Sequence, residues 1–352
     1  MLTQIVMTSE TLSNNTRKIK RTATLVDRVL IVNGFPGCGK TMLSPILSSF
    51  NSVEMHKFAP YIEQICELNF LNSIDENLAG QLVLANCDLL LYESLLGRNL
   101  NCRSTDLSSI FRSLKVSEYH RRMCGSLEES DVENEILQKK PILHLTTHML
   151  LHSLALLNEA LGKRLTFVEV IRNPLYMIVQ QEKNFRMFAG PRNQHIRYIY
   201  QNEEYDFFSK GFESNYKGAS SFEKAIYSIT WYFELLKRES FPNLIVIPFE
   251  KFVTHPLPYL EKIMTKLNLE ITSDVHVEMT RQRVPRTLLN DGPEERAYMK
   301  CGWQPPSKNT EREELNARRE VVRSNTSSSA MLLMDDCCEW YERFALGEIS
   351  PR

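Results

Sequence analysis

The stretch RVLIVNGFPGCGKTMLSPILSS, residues 28–49, decides how this chain folds. Val29, Leu30, Ile31 and Val32 form a short apolar run rich in β-branched residues, the composition of a buried strand. Gly34-Phe35-Pro36-Gly37-Cys38-Gly39-Lys40-Thr41 follows and satisfies the pattern G-x-x-x-x-G-K-[ST] in full. The spacing then predicts a helix over 41–49. Strand, glycine-rich loop and helix in this order make an anion cradle. Glycines let the backbone wrap closely, and the loop amides and helix N-terminus point at phosphate oxygens. Lys40 adds a mobile positive charge, and Thr41 a hydroxyl suited to a metal or another oxygen. The candidate anion-binding residues are therefore Gly34, Pro36, Gly37, Cys38, Gly39, Lys40, Thr41 and Met42.

Outside this stretch the composition is that of an ordinary soluble domain. The 352 residues are 43% hydrophobic and 24% charged, with a net charge of −1, which gives no whole-chain electrostatic case for nucleic acid. No apolar run approaches the ~20 residues of a membrane helix. The N-terminal residues lack the charged start and long apolar core of a signal peptide. The basic run 17–21 reads as a solvated tail. Eight cysteines stand at 38, 66, 87, 102, 124, 301, 337 and 338, with no C-x-x-C pair, so a reduced, cytoplasmic protein is expected. The oligomeric state is not written in the sequence.

Apolar strand-like runs recur at 141–145, 165–171 and 244–247, between helical patterns at 79–96, 149–161, 221–238, 311–323 and 330–344. Thr254 and Pro256 together read as the start of another helix. Short Val/Ile-rich runs alternating with helices predict an α/β fold. It would be a single P-loop-type domain, a central parallel sheet with helices on both faces, over 26–346 behind a flexible tail of 1–25. The stretch 185–217 has many aromatic and basic residues and no period, and is expected to be a flap or acceptor-binding insertion.

A second constellation follows the run 165–171. Arg172-Asn173-Pro174 places an arginine at the carboxyl end of a parallel strand, where ligands bind in open α/β sheets. Its planar fork suits phosphate, and Pro174 opens the next helix.

With these two segments in hand, the chain resembles the PAPS-dependent sulfotransferases. Four segments between about residue 28 and residue 271 carry the likeness: the loop, Thr146-Thr147-His148 in the place of the family's K-T-H, Arg172-Asn173-Pro174 in the place of R-[ND]-P, and 247–271, which is similar to the family's late Y-E-D-L stretch. The loop is atypical, being Walker-A-like where the family usually has P-[KR]-S-G-T-T. Gly37 replaces the usual basic residue, with Lys40 nearby. Gln180 stands in the place of the 3′-phosphate serine, and Arg281, Arg283 and Arg286 are substitutes for the family's late basic segment. The resemblance implies a sulfuryl transferase with PAPS as donor, no metal, and a hydroxyl or amine acceptor such as a carbohydrate or small molecule. It implies Lys40, His148 and His56 as the catalytic set, with Arg172 and Gln180 holding the donor. His148 is the favoured base, and His56 or Glu54 the alternative. The complete G-K-T loop keeps a second function open, an ATP- and Mg²⁺-using kinase or NTPase, which needs an acid at a neighbouring strand end. Asp88 and Glu93 lie instead in a helical pattern. His144, His148 and His152 are spaced by four but straddle a strand, so no metal site is expected.

Overall fold

The run at the head of 28–49 becomes the middle of a sheet. In a computed structural model, residues 18–125, 128–187, 195–238, 240–289, 292–293, 299 and 310–349 are described. Its strands are β1 (Arg28–Gly34), β2 (Lys57–Phe58), β3 (Ile142–Thr146), β4 (Leu165–Ile171), β5 (Arg197–Tyr200), β6 (Glu203–Asp206) and β7 (Leu244–Pro248). Five of them form one sheet in the order β2-β3-β1-β4-β7, and every pairing in it is parallel. β3 and β4 are buried at every residue and β1 at all but Arg28, so neither face of the sheet's three central strands meets water. Helices flank it. Pro60–Phe70, Glu76–Leu96, Glu129–Lys139 and Leu154–Leu161 pack as one group, and Pro174–Met187, Ser221–Arg238, Glu311–Arg323 and Ser328–Ala345 as another.

The strand order positions the site. From β1 the chain first runs to β2 and β3 on one side, then crosses to β4 and β7 on the other. The carboxyl ends of adjacent parallel strands at such a crossover open a crevice. Into it come the loop after β1, Thr147 and His148 after β3, Arg172 after β4, and Phe249 and Glu250 after β7.

Three local expectations change. The helix expected over 149–161 begins as a 3₁₀ turn, Leu150–Ser153, and becomes α-helical only at Leu154–Leu161. The cause lies in β1: the Leu150 amide donates to Asn33 Oδ1 at 3.1 Å, and Met149 is held at φ 56°. Thr254 does not cap the following helix. It ends the helix Phe249–Thr254, its hydroxyl donating back to the Glu250 and Lys251 carbonyls, while Pro256 stands at the cap of Leu257–Leu267. The helix 311–323 is where the sequence puts it, but Glu314 and Val322 are buried.

Residues 19–26 are fastened to the helix Glu76–Leu96. Ile19 N–H donates to Asn77, Arg21 N–H to Gln81, and the amides of Leu25 and Val26 both to Asp88 Oδ1 at 2.9 Å. Arg21 pairs with the other Asp88 oxygen at 2.6 Å. Asp88→Ala leaves two amides without an acceptor, at about 1–3 kcal/mol each. Urea unfolding should show a loss of that order. Asp88→Asn, which keeps an acceptor oxygen, should lose clearly less.

Candidate active site

The loop has the shape its glycines allow. Gly37 and Gly39 sit at φ 87° and 99°, in the left-handed region. A Cβ on Gly37 would meet Gln180 Oε1 at 2.8 Å, and one on Gly39 would meet Phe249 Cδ2 at 2.2 Å. The backbone here is in close contact with both side chains. The amides of Cys38 and Met42 close turns onto the Phe35 and Gly39 carbonyls. Those of Gly37, Gly39 and Thr41 have no backbone acceptor among the described residues, which leaves them for an anion, whereas the Lys40 amide points at the Cys38 sulfur. The Met42 side chain is core and its amide is used, and the Cys38 thiol is buried, with a pKa that burial raises. Lys40 is 3% exposed and donates to the Gly34 and Phe35 carbonyls at 3.0 and 3.3 Å, folded back across the loop.

The structure brings Arg172 and Gln180 to this loop. Arg172 Nη1 donates to the Gly37 carbonyl at 3.3 Å, and its Nε lies 3.4 Å from Glu250 Oε1. Its guanidinium lies over the rings of Tyr176 and Phe249, each at 4.5 Å. Tyr341, from the C-terminal helix, donates to the other Glu250 oxygen. Arg286 approaches the same Phe249 ring at 5.8 Å, whereas Arg281 turns away to Glu278 and the Arg112 carbonyl. Of the three late arginines, Arg286 is the one placed beside the loop.

His148 follows β3 and is oriented by a residue the sequence reading missed. Glu63 Oε1 accepts from the His148 amide at 2.7 Å and from its Nδ1 at 3.1 Å, and Phe58 stacks on the ring. A carboxylate only accepts, so the proton lies on Nδ1 and the Nε2 lone pair is turned the other way. The imidazole is 31% exposed. Burial, then the charge of Lys40, holds its pKa below the ordinary histidine value against the pull of Glu63. Burial pushes the Glu63 carboxyl up, but His148 outweighs it and the carboxyl lies below its usual range. The alternative bases sit elsewhere. His56 is 1% exposed, with both ring nitrogens unpartnered and its pKa pushed down to about 3, first by burial. Glu54 is spent on Arg122, at 2.7 and 3.0 Å.

Four residues along the helix from Glu63, Glu67 makes a second pair of the same kind. It accepts from His195 Nδ1 and from the Ile196 amide, both at 2.6 Å. The bond and charge of Glu67 hold His195 above its ordinary pKa although burial would lower it. Lys210 Nζ reaches the Phe70 carbonyl on the same helix. Thus 195–217 docks beside His148 as the antiparallel hairpin β5–β6 and a short helix, Glu213–Tyr216, with Tyr205, Phe207, Phe208 and Tyr216 buried. Phe188 and Arg192, counted with this insertion from the sequence, lie outside the described residues. Two acids at i and i+4 with no basic partner on their own helix were the available signal for both pairs.

No protein-family model matches the chain, and no curated protein matches it in sequence. Among solved structures it is similar to the sulfotransferase domain of the Synechococcus PCC 7002 olefin synthase, with 13% identity, a TM-score of 0.43, and 93% of this chain and 98% of that one covered. It is also similar to the sulfotransferase domain of the curacin biosynthetic pathway (11%, 0.37, 86% and 99%) and to sulfotransferase STF1 of Mycobacterium tuberculosis H37Rv (14%, 0.34, 72% and 71%). The fold family named from the sequence is the one to which these neighbours belong. At such identities and scores the likeness carries no activity, which has to come from the site itself.

Glu63→Gln removes the charge that raises the His148 pKa, so the value measured by ¹⁵N NMR should fall further below the ordinary ~6.5. Gly39→Ala forces a side chain into the left-handed region and against Phe249. Left-handed backbone alone costs on the order of 1–3 kcal/mol, which thermal or urea unfolding should read.

Proposed function

We propose that this protein transfers a sulfuryl group from PAPS to a hydroxyl acceptor. The observation that carries this is one juxtaposition. The anion loop, the Arg172–Gln180 pair pressed against it, and a histidine oriented by Glu63 all meet at the carboxyl ends of β1, β4 and β3. The residues present fit such a donor. The loop backbone lies so close to Gln180 and Phe249 that Gly37 and Gly39 leave no room for a Cβ, and the boxed guanidinium beside it suits a second phosphate.

Bound there, PAPS supplies a sulfuryl group whose bond to the phosphate oxygen breaks as the acceptor oxygen bonds to sulfur. The protein does the rest by position and charge. Lys40 and the loop amides neutralise the charge growing on the phosphate oxygen. Arg172, Gln180 and Arg286 hold the second phosphate. His148 Nε2 takes the acceptor proton, and Glu63 stabilises the imidazolium that results. The insertion, with Glu67 and His195, walls the acceptor side, where a carbohydrate or small molecule would lie. All seven described cysteines are free, which suits a reducing compartment, and we infer a cytoplasmic enzyme from that cysteine usage.

The side-chain contacts also weigh against an ATP- and Mg²⁺-dependent kinase, which needs an acid presented beside Thr41. Asp88 is occupied by Arg21, Leu25 and Val26, and Glu169 by Asn33 and Tyr232.

Calorimetry tests the proposal. Adenosine 3′,5′-bisphosphate should bind without metal, and Lys40→Ala or Arg172→Ala should each weaken it about 10- to 150-fold, the equivalent of a charge-assisted hydrogen bond. His148→Gln should leave that affinity unchanged while lowering bisphosphate release from PAPS, with a phenol as acceptor, by about 10²–10⁴. Mg²⁺-dependent ATP binding that ignores Arg172 would overturn the proposal. Since the His148 pKa is lowered and the base must be neutral, the rate should hold as pH falls through the ordinary histidine range and be lost only below it.

A further inference from the structure

Beneath the loop lies a buried acid for which the chemistry above has no use. Glu169 is fully buried in β4, directly across from Asn33 in β1. Its Oε2 accepts from Asn33 Nδ2 at 2.7 Å and its Oε1 from the Tyr232 hydroxyl at 2.6 Å. Both donors are neutral. Among the described residues the charged and titratable groups around it are Lys40 from the loop helix, the Cys38 thiol from the loop, and Tyr232 from Ser221–Arg238. Lys40, folded onto the Gly34 carbonyl one residue beyond Asn33, is among the described residues the cation acting on the carboxylate, and in the function proposed above it is also the residue that an incoming anion engages. A buried carboxylate that must share its one counter-charge with a phosphate becomes costly. The cheapest release is protonation, which keeps both hydrogen bonds available.

We propose that Glu169 is the proton-exchanging residue of the anion site, taking up a proton from solvent when the loop takes its anion and so setting how much negative charge the site accepts. This rests on the loop being a donor site. Burial above all pushes the Glu169 carboxyl up to about 7 while the loop is empty, partly offset by Tyr232, Asn33 and Lys40, so the group is poised to respond. An added anion raises it further. Anion affinity therefore falls as pH rises from about 7, where the bound state holds a proton that the free state has lost. Glu169 touches no substrate in this scheme and acts through Lys40. It is a positioning residue, and its signature is a proton count.

The test is calorimetry of the full chain with adenosine 3′,5′-bisphosphate and, separately, inorganic pyrophosphate, in buffers of differing ionisation enthalpy and without metal. Wild type should take up protons on binding. Glu169→Gln, which preserves an acceptor for Asn33, should lose the Glu169 share of that uptake. It should also bind about tenfold tighter than wild type above about pH 8, the factor for one unit of pKa displacement, and equally near about pH 6. Equal proton counts and a constant affinity ratio across pH would overturn the inference. Should that variant not fold, Tyr232→Phe serves, because it removes a donor that favours the charged acid. The uptake should then move to higher pH, and an unmoved window counts against the proposal. Proton-linked pyrophosphate binding without bisphosphate binding would keep the role of Glu169 and sink the sulfotransferase. Failure of both ligands to bind would overturn both.

Discussion

One side-chain amide, that of Asn33, holds the site together. It is fully buried and lies one residue before the loop. Its oxygen accepts from the Thr147 hydroxyl at 2.9 Å and the Leu150 amide at 3.1 Å, and its nitrogen donates to Glu169 and to Tyr232. β1, β4, the turn that carries His148 and the helix Ser221–Arg238 are thereby pinned at one point. A buried amide leaves a costly group unsatisfied if any of these elements moves away. The distance between the glycine loop and His148 is therefore fixed by the same network that orders the core. Asn33, rather than any of the residues expected to do chemistry, sets the geometry on which they depend.

That network also resolves a conflict of charge. The crevice gathers Lys40, Arg172 and Arg286, which repel one another, and after burial the charge of Lys40 lowers the His148 pKa. Each cation is held by a different device. Lys40 is laid on loop carbonyls, Arg172 is boxed between two rings and anchored to Glu250, and Arg286 donates to the carbonyls of Arg283 and Leu289. Carbonyls and ring faces attract a cation without cancelling its charge, whereas the Glu250 carboxylate offsets part of the Arg172 charge. Glu63 compensates His148 locally and stabilises it only once it has taken a proton.

The sheet was legible in the sequence because its strands are buried on both faces and so appear as unbroken apolar runs. β4 contains one glutamate, Glu169, and β1 has one asparagine, Asn33, next to its last residue, and such polar residues in buried strands are the visible trace of the network. The loop, Arg172 and His148 were legible because each follows such a strand. β2 is only two residues long, and β5–β6 is charged and exposed, turning through Gln201 and Asn202 at φ 49° and 64°; neither has the pattern of a core strand. Glu63, Glu67 and Glu250 were not legible as site residues because their partners lie between 78 and 128 positions away, a matter of topology rather than local pattern. His56 has the expected spacing from the loop, and its ring is buried with both nitrogens unpartnered.

The same topology makes the site a product of the whole chain. Arg172 leans on Gly37 from β4, Glu250 steadies Arg172 from the end of β7, and Tyr341 steadies Glu250 from the last helix. Lysine in place of Arg172 would have a point charge and no planar face for Tyr176 and Phe249 to sandwich, so the box itself selects arginine. The conformation in which the loop amides sit therefore depends on contacts brought from β4, from the end of β7 and from the last helix, all remote in sequence from the loop they support.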